Sequence, residues 1–187
     1  MEQGYCKAGL FHADVEYIKK KKGIEGIEAL DKILKTMECK ASINQIMSMK
    51  PAENVSLEIR KMFLDACFQV LDKDSEKIKD MGRNSPSISP IQKLVLGHFM
   101  SPEKAISYGP KFWRENYTKG EFVILETGKD FFRFAVKNFQ LSKVFCDHLS
   151  GYIEGIGRLC KINAVTCKEI KCIYDGAEHC EFEVRAG

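Results

Sequence analysis

The chain has 187 residues, 44% of them apolar and 29% charged, and a net charge of +3. That composition is ordinary for a globular domain, so a disordered chain is excluded, and the small charge gives no argument for a nucleic-acid partner. No run approaches the roughly 18 apolar residues of a membrane span. Met1 to Leu10 carries Glu2 and Lys7 and lacks a signal-peptide core, so a cytoplasmic protein with its eight cysteines reduced is expected.

Along the chain, Ala13 to Lys22 reads as a short helix whose last turn holds Lys19 to Lys22 and which Gly23 ends. Ile24 to Met37 repeats apolar residues at helical spacing and predicts a second helix. Asn44 to Met47 reads as a short edge strand. Val55 to Leu71 predicts an amphipathic helix with Ile59, Phe63, Ala66, Cys67 and Val70 on one face, capped by Asn54 or Ser56. Asp72 to Pro90 is polar and punctuated by Gly82, Pro86 and Pro90, so a loop with one helical turn near Glu76 to Met81 is expected. Ser89-Pro90 opens a helix to about Phe99. Ser101-Pro102-Glu103 opens another towards Tyr117, which Gly109-Pro110 should bend or break.

The character then changes. Gly120 to Glu126 and Phe131 to Val136 are rich in β-branched and aromatic residues and flank a hairpin signal at Thr127 to Asp130. Leu141 to Leu159 is helical, with Gly151 and Gly155 one turn apart so that a neighbour can approach closely. Ile162 to Tyr174 and Cys180 to Val184 read as two strands about an Asp175-Gly176 turn. Helices first, then strand, strand, helix, strand, strand, predict an α+β fold: an antiparallel sheet of four to five strands packed against helices, with a helical N-terminal region. Residues 1 to 40 are read as an N-terminal extension or dimerisation arm, and 41 to 187 as a ligand-binding domain.

Cys146, Cys172 and Cys180 are spaced Cys-x25-Cys-x7-Cys, which puts one on the penultimate helix and two on the last hairpin. With the turn centred on Gly176, residues 172 and 180 become cross-strand neighbours whose sulfurs can share a face. Three thiolates from helix, strand and strand suit a tetrahedral zinc. Three ordinary buried cysteines would also satisfy the spacing.

The stretch Gly151-Tyr-Ile-Glu-Gly-Ile-Gly157, followed by Cys172-Ile-Tyr-Asp-Gly-Ala-Glu-His-Cys180-Glu-Phe-Glu-Val184, resembles the end of the 4-vinyl reductase domain family. The resemblance covers about residues 88 to 186. That family includes the sensing domains of bacterial phenol and toluene regulators. It is related to trafficking-complex subunits and, more distantly, to haem-based nitric oxide sensors. The resemblance implies a structural zinc held by Cys146, Cys172 and Cys180 with an upstream glutamate, for which Glu126 is the best candidate. His179, His148 and Cys167 stand as alternatives for the fourth ligand.

Phe112, Trp113 and Tyr117 cluster before the first hairpin, and Phe122, Phe131, Phe132 and Phe134 follow on it. They read either as filled core or as the lining of an apolar pocket. In the second reading His98, Trp113, Tyr117, Phe122 and Phe134 line a site for a small hydrophobic or aromatic ligand, with His98 as its polar group. No phosphate-binding glycine loop, nucleophile motif or histidine-rich metal spacing is present, so no catalysis is expected. The leading expectation is therefore a zinc-stabilised sensor domain acting through a homodimer or a downstream protein partner. The alternatives are a trafficking-like adaptor, whose mark would be acylation at a cysteine such as Cys67, and an accessory protein for vinyl reduction of a tetrapyrrole.

Overall fold

Ser42, Ser56, Ser101 and Ser142 each accept a hydrogen bond from the backbone N–H three residues on, and four helices begin there. The structure is a computed structural model that describes residues 3–88, 101–162 and 164–187. In chain order the elements are β1 (Tyr5–Lys7), α1 (Gly9–Thr36), α2 (Ile43–Ser48), β2 (Asn54–Ser56), α3 (Leu57–Val70), α4 (Ser75–Ile88) and α5 (Pro102–Asn116). Then come β3 (Glu121–Thr127), β4 (Phe131–Lys137), α6 (Lys143–Leu159), β5 (Val165–Lys171), a 3-10 turn (Ile173–Asp175) and β6 (Cys180–Ala186). The helix expected after Ser89-Pro90, and His98 within it, lie outside the described residues.

The four-stranded sheet is antiparallel in the order β3-β4-β6-β5, and β1 pairs with β2 in a separate two-stranded sheet. The α+β expectation is met. Phe122, Phe134 and Phe182 point from the larger sheet towards the helices and are buried, while Arg133, Glu183 and Arg185 occupy its other face. The two parts of α1 meet at Gly23, whose φ of 69° lies in the left-handed region. Phe11 and Ile18, both fully buried, place the first forty residues in the same core as the rest. Lys21 and Lys22 pair with Asp80 and Asp72, so the lysine run is partly neutralised by α4 and the turn before it.

Several local expectations are corrected. Asn44 to Met47 lies within a helix, because Ser42 and Gln45 form a reciprocal capping box. Asp72 to Pro90 contains a 14-residue helix, α4, instead of a loop. Its buried stripe is Ile78, Met81, Gly82, Ser85 and Pro86, in which the small residues carry little hydrophobic signal. Gly109-Pro110 does not break α5, which runs unbroken from Pro102 to Asn116. Cys172 and Tyr174 leave the strand for the 3-10 turn, so β5 stops at Lys171.

The tightest packing joins α4 to α6. A Cβ at Gly82 would overlap the His148 carbonyl, one at Gly151 the Lys79 carbonyl, and one at Gly155 the Arg83 carbonyl. Glu154 of α6 locks this pair. It accepts from Arg83 Nε and Nη2 at 2.9 and 2.7 Å, from Lys79 Nζ at 2.9 Å, and from the Cys167 backbone N–H of β5 at 2.9 Å. One carboxylate thus ties two helices to the edge of the sheet.

Candidate functional site

Cys146 lies in the first turns of α6, Cys172 just past β5, and Cys180 at the start of β6. All three are at most 5% exposed. The Cys146 and Cys180 sulfurs are 3.6 Å apart and those of Cys180 and Cys172 4.0 Å apart. A carboxylate oxygen of Glu169 completes a group of four ligand-type atoms that all lie within 4.8 Å of one another.

Glu169 joins the thiols because β5 carries a bulge between Glu169 and Lys171. Residues 169 and 172 would otherwise fall on opposite faces of a regular strand. The bulge shifts the register by one residue, leaves Ile170 half-exposed, and turns Glu169 and Cys172 to the same side. A second bulge acts in the opposite sense on Glu126. Between Ile124 and Glu126 the β3 register slips, so Glu126 pairs with Arg133 on the far face and meets its guanidinium at 3.3 Å. Glu126 is therefore not the carboxylate beside the thiols. A Glu three residues before a strand cysteine was the available sequence signal for Glu169, but simple alternation argues against it.

The other candidates are engaged elsewhere. His148 Nε2 is 2.8 Å from Asp14 Oδ1, His179 Nε2 is 2.9 Å from Glu181, and Cys167 is buried beside Glu154. Within the cluster, Cys180 has its pKa lowered, first by the hydrogen bond from Cys146 and also by the Ile173 N–H, against the effect of burial. Cys146 is held well above the usual thiol range by that same hydrogen bond to Cys180, by burial and by the charge of Glu169. Burial pushes the Cys172 thiol up to about 11.

Of the predicted ligand-binding residues, Trp113, Tyr117, Phe122 and Phe134 form a continuous aromatic body between α5, α6 and the sheet, and His98 lies outside the described residues. Trp113 stacks on Tyr117 with centroids 4.5 Å apart, and Phe134 lies between Phe122 at 4.4 Å and Phe182 at 4.8 Å. Trp113 Nε1 donates to the Lys119 carbonyl. Phe139 and Phe145 extend the group to a cavity of about 10 Å³, room for one water, whose wall includes Cys146 and Cys180. Trp113 is the one buried residue of α5, and Phe112 of the same helix stacks on Tyr152 of α6 with centroids 5.6 Å apart.

A second buried group was not legible in the sequence. Asp14 of α1 meets Arg60 of α3 at 2.8 Å, accepts from Ser85 of α4 at 2.9 Å and faces His148 of α6. Arg60 is 1% exposed and lies over the rings of Phe11 and Phe63. Burial alone would raise the Asp14 pKa, but the His148 and Arg60 charges outweigh it and bring it to about 2. Cys67 is fully buried, and burial holds its thiol well above the usual range, so it offers no exposed position for an acyl chain.

No family model and no curated protein matches the chain. Solved structures do. An H-NOX protein from S. oneidensis in the Fe(II)NO ligation state matches with a TM-score of 0.70 at 11% identity, covering 97% of this chain and 99% of that one. A structure described as giving insight into the molecular mechanism of H-NOX activation matches with a TM-score of 0.68 at 13% identity, covering 96% of each chain. A structure describing modulation of haem redox potential by protein-induced porphyrin distortion matches with a TM-score of 0.66 at 13% identity, covering 96% and 99%.

These findings overturn the resemblance to the 4-vinyl reductase domain family. The structural zinc implied by that resemblance falls with it, because the solved proteins that share the fold are described by haem. Trafficking adaptors and vinyl reduction receive no support either. The described residues do not in turn form a haem site. An axial ligand is required, yet Nε2 of His12 faces the Ile46 carbonyl, and His148 and His179 face carboxylates. The aromatic side chains already fill the space between helices and sheet among the described residues. With near-complete coverage of both chains and TM-scores up to 0.70, this chain has the H-NOX fold.

Proposed function

We propose that the chain is a non-catalytic small-molecule sensor domain that admits a small hydrophobic ligand beneath α5, against Trp113, Tyr117, Phe122 and Phe134. The observation that carries this reading is α5 itself. It covers the aromatic face of the sheet with Trp113 as its one buried residue and Phe112 stacked on Tyr152 at its side, and Gly109 lets it lie close on the Phe122 ring. A helix with one fully buried side chain opens at lower free-energy cost than global unfolding. An apolar molecule taken up there replaces ring-to-ring contacts with ring-to-ligand contacts and moves α5 outward. The H-NOX fold supports the reading at the level of fold, since its solved examples include a protein in an NO-ligated state. Output then passes to a second copy of the chain or to a separate protein partner.

Trp113 is the sole tryptophan, so its emission reports on the site directly. Titration of the full chain with toluene and with octanoate tests the reading. A saturable change in Trp113 emission with at least one of the two, weakened in Phe122→Ala, is expected. No saturable change with either would overturn it, and a stoichiometric haem spectrum in the purified protein would replace it with a haem-based reading.

A further inference from the structure

We infer that the ligand taken up beneath α5 is an uncharged aromatic compound carrying one oxygen acceptor, a ketone or an aldehyde, whose oxygen is met by Arg60. The inference rests on the reading of a ligand against Trp113 and Tyr117 and names its chemistry. Arg60 of α3 is 1% exposed, and its Nε has no hydrogen-bond partner among the described residues. A buried donor left so is costly, the more so on a charged group. Arg60 Cζ lies 4.9 Å from the Phe11 ring centre and 5.7 Å from that of Phe63, and neither ring offers Nε an oxygen. Nη1 is already engaged. It pairs by charge with Asp14 Oδ2 at 2.8 Å, without hydrogen-bond alignment, and donates to the Leu10 carbonyl at 3.5 Å.

This donor stands where the helical core meets the aromatic body. Cys6 of β1 pairs with Tyr117 in an antiparallel bridge, and the Thr118 N–H donates to the Tyr5 carbonyl. Cys6 and Tyr117 both feel the Arg60 charge, which works against the burial that raises their pKa values, so the three side chains are neighbours. Tyr117 in turn stacks on Trp113. The backbone ties to β1 hold Tyr117, the residue that ends α5, in place. When α5 moves outward it turns about this fixed end, and the space that opens runs from Phe122 and Trp113 to Tyr117, with Arg60 behind it.

Charge decides the class of ligand. Asp14 already neutralises Arg60, so a ligand carboxylate would be a second buried anion beside Asp14, with one guanidinium shared between the two. A hydrocarbon leaves Nε as it was. An uncharged carbonyl oxygen accepts from Nε, adds no charge, and sets its ring against Tyr117 and Trp113. A hydrogen bond to a charged donor is worth about tenfold or more in affinity.

The test is isothermal titration calorimetry of the full chain with acetophenone, with α-methylstyrene and with benzoate. The first two share a shape and differ in the oxygen. With each dissociation constant scaled by that compound's partition into octanol, acetophenone should bind about tenfold or more tightly than α-methylstyrene. Benzoate should bind more weakly than acetophenone. Arg60→Lys keeps a cation for Asp14 but lacks the Nε donor, and should abolish the preference for the ketone. The comparison in the parent chain stays decisive if that variant does not fold. Equal scaled binding of the first two, tighter binding of benzoate, or a preference that survives Arg60→Lys would each overturn the inference while leaving a ligand site beneath α5. No saturable heat with any of the three would remove that site and the inference with it.

Discussion

Gly151→Ala tests the packing on which the helical layer depends. A Cβ at this position would overlap the Lys79 carbonyl oxygen, stand 2.7 Å from the Lys79 carbonyl carbon and stand 3.0 Å from the Arg83 nitrogen. These are backbone atoms of α4, so no side chain can rotate away. Restoring ordinary contact requires the helices to part by more than about 1 Å. Overpacking of this kind costs about 1–3 kcal/mol. The separation also pulls Lys79 and Arg83 from Glu154, adding about 1 kcal/mol or more for weakened charged hydrogen bonds. Against this, replacing Gly by Ala in a helix gains about 1 kcal/mol. The expected net loss is about 1–3 kcal/mol, which for a chain of this size lowers Tm by roughly 2–12 °C. Urea unfolding followed by circular dichroism measures it. A variant as stable as the parent, or more stable, would refute the close-approach argument and leave helix propensity in command.

Two further perturbations probe the buried charges. Arg60→Met leaves Asp14 buried without its guanidinium partner and should cost about 3–5 kcal/mol in urea unfolding, much of it recovered in the double variant with Asp14→Asn. Because the folded pKa of Asp14, about 2, lies below its ordinary 3.8, its stabilisation is complete above 3.8 and is lost as pH falls through about 2. Unfolding free energy measured across that window should fall by roughly 2 kcal/mol in the parent, and Asp14→Asn should remove that component of the slope. Glu154→Gln should cost about 1–3 kcal/mol by leaving Lys79 and Arg83 under-paired, and faster hydrogen exchange at the Cys167 amide is the local readout. Unchanged exchange there would show that the junction does not hold β5.

The sheet and its two hairpins were readable because β-branched and aromatic runs ended at strong turn signals, and α6 because its apolar face is long and regular. The three cysteines were readable as a group because the Lys171↔Glu181 register carries Cys172 towards Cys180. What failed had specific causes. Each of two bulges shifts one strand by a residue, which took Glu126 out of the group and admitted Glu169. Strand alternation cannot anticipate such slips. Helix α4 was hidden because its contact with α6 is made by Gly82 and by the Lys79 and Arg83 backbone against Gly151 and Gly155, none of which carries an apolar signal. Asp14 and Arg60 carry no signal of their own in the sequence, since a buried ion pair leaves no mark on local periodicity.

The contact between Asp14 and His148 spans 134 residues of sequence. During synthesis at about 5–20 residues per second, the carboxylate waits on the order of ten seconds for its imidazole partner to be made. Arg60 emerges much sooner, so α1 and α3 can associate early around the ion pair while α4 still lacks the helix that fits its glycine face. The nascent chain must therefore carry an incomplete helical layer until α6 arrives. An order of events in which the last third of the chain completes the first ties successful folding in the cell to continuous synthesis through α6, and makes a ribosome stalled before it a source of unfinished, chaperone-dependent protein.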